Sequence, residues 1–291
     1  MHTPDGFITG WICILMLVFS GAVLLFSAWK IRNTLTKEKI VKMSLLGLVI
    51  FAAQMLNFPV AEGTSGHLIG AALAAIMLGP YAAVVVLAAV LLLQSLAFGD
   101  GGVLALGVNI FNMAIVGSFA AHAVYQRISG RRGVLAASWA SVFLASVSAS
   151  VLLGISGAAD LANVLFAMGA VHAVIGMGEA LITLAVYEYL FKAASLVSDY
   201  VAFTTGLAFL VLALALPFAS GEPDGMEKVA INLGFFDSSM VLYEAPFADY
   251  LLLGSELAAG LVGMTITFGA IYVSLLLIKS REIRAAEPHR Q

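Results

Sequence analysis

Phe7–Trp29 reads FITGWICILMLVFSGAVLLFSAW, a run without a single charged side chain. A helix that crosses the roughly 30 Å hydrocarbon core of a bilayer needs about 20 apolar residues, and this run supplies them. The charges around it set its direction. Met1–Gly6 contains Asp5 and no Lys or Arg, whereas Lys30 and Arg32 follow the run. A cleavable secretion signal has the opposite order. The N-terminus is therefore expected to be retained and to lie outside the membrane.

Working outward, comparable apolar stretches cover 41–57, 81–98, 103–125, 134–157, 161–191, 198–219 and 252–278. A shorter segment, 67–79, is rich in Gly and Ala. It is expected to be a half-length helix buried among the others, because short or irregular backbone at membrane depth is tolerated only inside protein. The chain of 291 residues is 62% hydrophobic and only 11% charged, against about 25% charged in a soluble domain. The fold class is therefore an all-α polytopic membrane protein.

Charge tests this count. With the N-terminus outside and 67–79 crossing, the inside loops are 30–40, 126–133, 192–197 and 279–291. Of the 14 Lys and Arg, only Lys228 then falls on the outer side, as the positive-inside rule requires. Dropping 67–79 would invert every later loop. The long stretch at about 220–251 is acidic, with Glu222, Asp224, Glu227, Asp237, Glu244 and Asp249 against Lys228. It joins the two helices of a final pair (198–291), which follows a first block (1–197). Such a loop either is merely solvated or raises the local cation concentration.

Several functions are excluded. A net charge of −3 and the lack of a basic stripe interleaved with aromatics give no reason to expect nucleic acid. Cys13, the only cysteine, cannot form an internal disulfide. The sequence has no GxxxxGK[ST] phosphate loop and no HExxH zinc helix.

The chemistry lies at the front. A free α-amine followed by His2 offers the amine, the His2 amide and the His2 Nδ1 on one short chain. Closing amine to amide makes a five-membered ring and amide to imidazole a six-membered one, both unstrained. Planar nitrogen sets mark Ni(II) or Cu(II). This requires that Met1 stays and that its amine is unblocked. Pro4-Asp5-Gly6 is a turn signal that could fold the tip back between helices. His67 follows Ala61-Glu62-Gly63-Thr64-Ser65-Gly66 on the same side as Met1 and is the natural fourth donor. Taken separately, a histidine at position 2 is an accident of composition and His67 a structural residue; their shared face favours a metal.

Other polar residues within apolar segments are Gln54, Asn57, Gln94, Asn109, Asn112, His172 and Glu179. Such residues face cavities or partner helices. Gln94, Asn109 and Asn112 flank Phe98-Gly99-Asp100-Gly101-Gly102 and could steady the histidines. His172 and Glu179 share one helical face two turns apart. They either relay protons or pin helices together, and could also support the metal site from behind.

Three motifs, Met1-His2-Thr3-Pro4-Asp5-Gly6, Gly63–Leu68 (GTSGHL) and Gln94–Gly102 (QSLAFGDGG), resemble the nickel/cobalt substrate-binding (S) components of energy-coupling factor transporters, the CbiM/NikM family. Gly107–Met113 (GVNIFNM) and His172–Thr183 (HAVIGMGEALIT) are similar to that family too, so the likeness covers about 1–195. Thr3 stands where the family usually has Ile. The resemblance implies square-planar metal binding by the Met1 amine, the His2 amide, the His2 ring and His67. It also implies a seven-helix S-component bundle whose first helix is an addition to six. No permanent cofactor is implied; Ni2+ or Co2+ is the transported substrate, and ATP hydrolysis belongs to other subunits. The implied partners are a CbiQ/NikQ-like coupling subunit and a CbiO/NikO-like pair of cytoplasmic ATPases in the plasma (inner) membrane, with the C-terminus cytoplasmic. A small-residue face, Gly66-Gly70-Ala74, could let helices slide on the coupling subunit. The tail, 198–291, resembles the two-helix PDGLE (CbiN-like) module, with Met226 where Leu is usual in Pro223–Ala230; companions of that type are thought to help load metal. The competing reading is a secondary transporter that moves a divalent metal against protons through His172 and Glu179.

Overall fold

A computed structural model describes residues 1–60, 63–194 and 200–286. The boundary at 197/198, Ala61, Glu62 and His289 lie outside the described residues. Every apolar stretch becomes helical: α1 (Gly10–Ile31), α2 (Lys37–Gln54), α3 (Ala71–Leu78), α4 (Pro80–Leu93), α5 (Leu106–Asn109), α6 (Gly117–Arg127), α7 (Gly130–Ser156), α8 (Leu161–Ala194), α9 (Tyr200–Ala215) and α11 (Glu256–Ala286). Among the described residues, six helical spans are long and apolar enough to cross a membrane. The protein is an all-α polytopic membrane protein.

Local chemistry sets the boundaries. α2 begins four residues before the apolar run because the Thr36 side chain accepts from the Lys39 N–H and caps it. Pro80 opens α4 at its first turn. Two wider π-helical turns interrupt the regular winding. Gln94–Phe98 ends α4, and Ile110–Val116 joins α5 to α6 in one span. Such turns frequently mark functional sites.

The short segment and α4 run in opposite directions. His67, ahead of α3, and Asp100, just past α4, both touch the N-terminal tip, so α3 leads away from the tip and α4 returns to it. A half-length helix exposes amide groups that nothing in its own turns can satisfy. Glu179 of α8 supplies the partner: its carboxylate accepts from the Ile69 N–H at 2.7 Å and the Gly70 N–H at 3.0 Å.

Small residues allow tight packing, as in membrane bundles generally. The Ser20 hydroxyl donates to the Gly107 carbonyl at 2.7 Å, tying α1 to α5, while Val18 (67% exposed) and Leu25 (74%) face outward. The face Gly66-Gly70-Ala74 is buried against Ile175 and Ile50. It is thus closed to a coupling subunit, contrary to the sequence expectation.

The tail differs from its reading in two ways. α9 and α11 do not stand apart but pack along α2, with Gly47 against Ile271 and Gly263 against Phe51 and Phe98. The acidic stretch also contains a helix, α10 (Gly225–Leu233). Asp224 and Glu227 form a reciprocal capping box at its start. A short hairpin pairs Phe58–Pro59 with Ser65–Gly66. The tail lies against this hairpin: the Ser65 N–H donates to the Pro223 carbonyl at 2.9 Å and its hydroxyl to that of Glu222 at 2.7 Å.

Candidate metal centre

The first residues are folded inside, with Met1, His2, Thr3 and Asp5 all buried. Asn109 fastens the backbone beside His2. Its side-chain oxygen accepts from the Thr3 N–H at 2.8 Å and its amide donates to the Thr3 carbonyl at 3.1 Å. Asp5 turns its carboxylate to the N–H groups of Val103 (3.1 Å) and Ala105 (2.9 Å). A Cβ on Gly102 would lie 2.1 Å from the Asp5 carboxylate, so only glycine lets this loop receive the tip.

Within the tip, the Met1 amine hydrogen-bonds Nε2 of His67 at 2.7 Å. Nδ1 of His67 lies 3.0 Å from the Leu68 carbonyl. Donating there leaves Nε2 as the basic nitrogen turned to the amine, the arrangement that orients metal-binding imidazoles. The His2 ring stacks on that of His67 with centroids 4.9 Å apart. Its Nδ1 faces Asp100 Oδ1 at 3.0 Å. Of the four nitrogens the resemblance implies, the amine and His67 Nε2 are thus adjacent, whereas the His2 Nδ1 is engaged by Asp100.

Two carboxylates that sequence reasoning did not place here complete the site. Asp224, from the tail, contacts the Met1 amine and lies 3.7 Å from His67 Nε2. Burial disfavours its charge, but the amine and His67 hold its carboxyl well below the usual range. Burial likewise works against the charge on Asp100, but His2, His67 and the Tyr250 hydroxyl together lower that carboxyl too. The Tyr250 hydroxyl donates to Asp100 Oδ2 at 2.6 Å and accepts from the Gln94 amide at 3.1 Å. The signals were there to find. Asp224-x-x-Glu227 is a capping-box pattern, and Asp100 sits in a glycine-rich loop beside Gln94.

The remaining candidates separate. Gln94 reaches His2 through Tyr250 and Asp100, and Asn109 directly supports the tip. Asn112 does neither: its side-chain oxygen accepts from the Ser148 hydroxyl at 2.6 Å and ties two helices. His172 and Glu179 do not pair with each other. Nδ1 of His172 lies 2.9 Å from the Met168 carbonyl one turn back, and both Glu179 oxygens serve the start of α3. The relay proposed for a proton-coupled transporter therefore has no direct link here. Among the described residues no group of three or more His, Cys, Asp or Glu side chains is arranged so as to hold a metal ion.

The chain is similar to known proteins over most of its length. The model for the CbiM cobalt uptake substrate-specific transmembrane region matches residues 2–197. A putative fused nickel transport protein NikMN of Archaeoglobus fulgidus is 37% identical over 91% of this chain and 95% of its own length. A probable fused nickel transport protein LarMN of Lactiplantibacillus plantarum is 27% identical over 96% of this chain and 97% of its own. The crystal structure of a transition metal transporter, 31% identical, matches 71% of this chain and 99% of its own with a TM-score of 0.61. The chain belongs to the CbiM family.

Proposed function

We propose that this protein captures Ni2+ or Co2+ on its own N-terminus and presents it for import as the substrate-specific component of an energy-coupling factor transporter. The observation that carries this reading is the buried contact between the Met1 amine and His67 Nε2, 2.7 Å long. Neighbouring donors on a metal with bonds of about 2.0 Å meeting at right angles stand about 2.8 Å apart. The two nitrogens are already at that spacing, so a metal can replace the shared proton with little movement of either. The His2 amide and Nδ1 complete the plane once the ring exchanges Asp100 for the ion. Binding releases protons, which makes it weaker as pH falls.

The relatives named as nickel transport proteins support metal as the cargo. The missing phosphate loop supports separate ATPase subunits and a coupling subunit between them and this chain. The charge distribution supports a site on the outer face of the plasma membrane and a cytoplasmic C-terminus. His67→Ala tests the capture site: Ni2+ affinity, measured by calorimetry in detergent, should drop at least about 100-fold. An unchanged titration contradicts the proposal.

A further inference from the structure

His67 is bracketed by α8. Just before it, a Cβ on Gly66 would lie 2.9 Å from the Ile175 side chain. Just after it, Glu179, one turn further along the same helix, accepts from the Ile69 and Gly70 N–H groups. The Ile69 N–H and the Leu68 carbonyl are the two ends of one peptide unit, which is planar. Glu179 Oε2 holds the N–H end at 2.7 Å, and His67 Nδ1 lies 3.0 Å from the carbonyl end. Gln54 fixes the next unit, its amide donating to the Ile69 carbonyl at 2.7 Å. His67, Ile69, Gln54 and Glu179 are all buried, so little water competes for these bonds.

We infer that Glu179 is a positioning residue for metal capture, acting on His67 through the Leu68–Ile69 peptide. Imidazoles that bind metal donate their second ring N–H to a carboxylate or a backbone carbonyl, which fixes the tautomer and the ring plane. Here the two devices stand in series. The carboxylate orients the peptide, and the peptide carbonyl orients the ring. Hydrogen bonds in such a chain polarise one another, so the charge on Glu179 makes the Leu68 carbonyl a better acceptor and His67 Nε2 a better donor to an ion. A helix cap alone does not call for that charge. A carboxylate within a membrane bundle is costly, and a neutral Ser, Thr or Asn serves as a cap. The inference rests on the capture site proposed above, because it concerns how His67 presents Nε2.

Glu179→Gln keeps the size of the side chain and one acceptor but removes the charge. In the full-length protein in detergent, Ni2+ affinity measured by calorimetry should fall at least about tenfold. The ligand-field absorption band of the bound Ni2+ should also move to lower energy as the His67 nitrogen weakens. Asn112→Ala is the control for stability alone, and it should leave both affinity and band in place. Nitrogen-15 NMR of the metal-free wild type should find the His67 proton on Nδ1. A proton on Nε2 breaks the chain of bonds and overturns the inference, even where the Glu179 variant does not fold. Unchanged affinity in Glu179→Gln also overturns it, and so does a weaker affinity with the band unmoved. Either result beside a large loss in His67→Ala strikes the role of Glu179 only, whereas Ni2+ binding unaffected by His67→Ala strikes the capture site itself.

Discussion

The tripeptide Pro-Asp-Gly occurs at residues 4–6 and again at 223–225, and the two copies are used differently. In the first, both oxygens of Asp5 are spent on the N–H groups of Val103 and Ala105. That aspartate anchors the tip and touches nothing that binds metal. In the second, Asp224 divides its carboxylate. Oδ1 caps α10 by accepting from the N–H groups of Met226 and Glu227, and Oδ2 meets the Met1 amine. One turn is scaffold; the other joins a helix terminus to the chain's first nitrogen. A turn motif fixes a local shape, and what its aspartate does depends on what the rest of the fold brings within reach.

Substitution can break this comparison. The largest effect is expected for Asp5→Ala, which strands two backbone donors, each worth about 1–3 kcal/mol when left unmade. The melting temperature in detergent should fall by several degrees, and Ni2+ affinity at least about tenfold as the tip loosens. Asp224→Asn should do less, about 1–2 kcal/mol, because Asn still caps a helix while the charge-assisted contact is lost. Its dependence on pH follows from the sign of the shift. The folded carboxyl lies below its ordinary value of 3.8, so the stabilisation is complete above about that pH and lost as pH falls through the folded value. The gap between wild type and variant, followed by thermal melting, should be constant from pH 8 to about 4 and close below that. If the gap instead disappears between pH 8 and 5, the pairing is misassigned.

Tyr250→Phe sharpens the picture on the Asp100 side. It removes the hydroxyl between Gln94 and Asp100 at a cost of about 1 kcal/mol, and Ni2+ affinity should fall by no more than a few-fold, since Asp100 supports rather than binds the ion. Asn112→Ala is the smallest case. It cuts a helix-to-helix tie that makes no hydrogen bond to the tip, so the titration should stay within twofold of wild type while thermal stability decreases.

The helices were legible in the sequence because uncharged runs of membrane length have few other uses. Even the short helix within 67–79 could be read from its apolar run. Its support could not: Glu179 meets Ile69 and Gly70 from a helix more than a hundred residues later, and no local pattern connects them. Met1, His2 and His67 were legible because a terminal amine beside a histidine is a chelate by bond count alone. Asn109 lay near enough in the pattern to be noticed, but Asn112, three residues on, points to Ser148 because the π-helical turn and the packing of α7 decide its direction. Asp100 and Asp224 escaped because an acidic residue in a polar loop looks solvated until the fold encloses it. The helix in the tail was within reach of its capping box.

The central claim is that the ion is held by the chain's first nitrogen. Protein carrying one additional residue ahead of Met1, verified by mass spectrometry, displaces that amine while leaving every side chain in place. Calorimetric titration with Ni2+ should show high-affinity binding in the wild type and none in the extended protein. Equal affinity in the two would contradict the account.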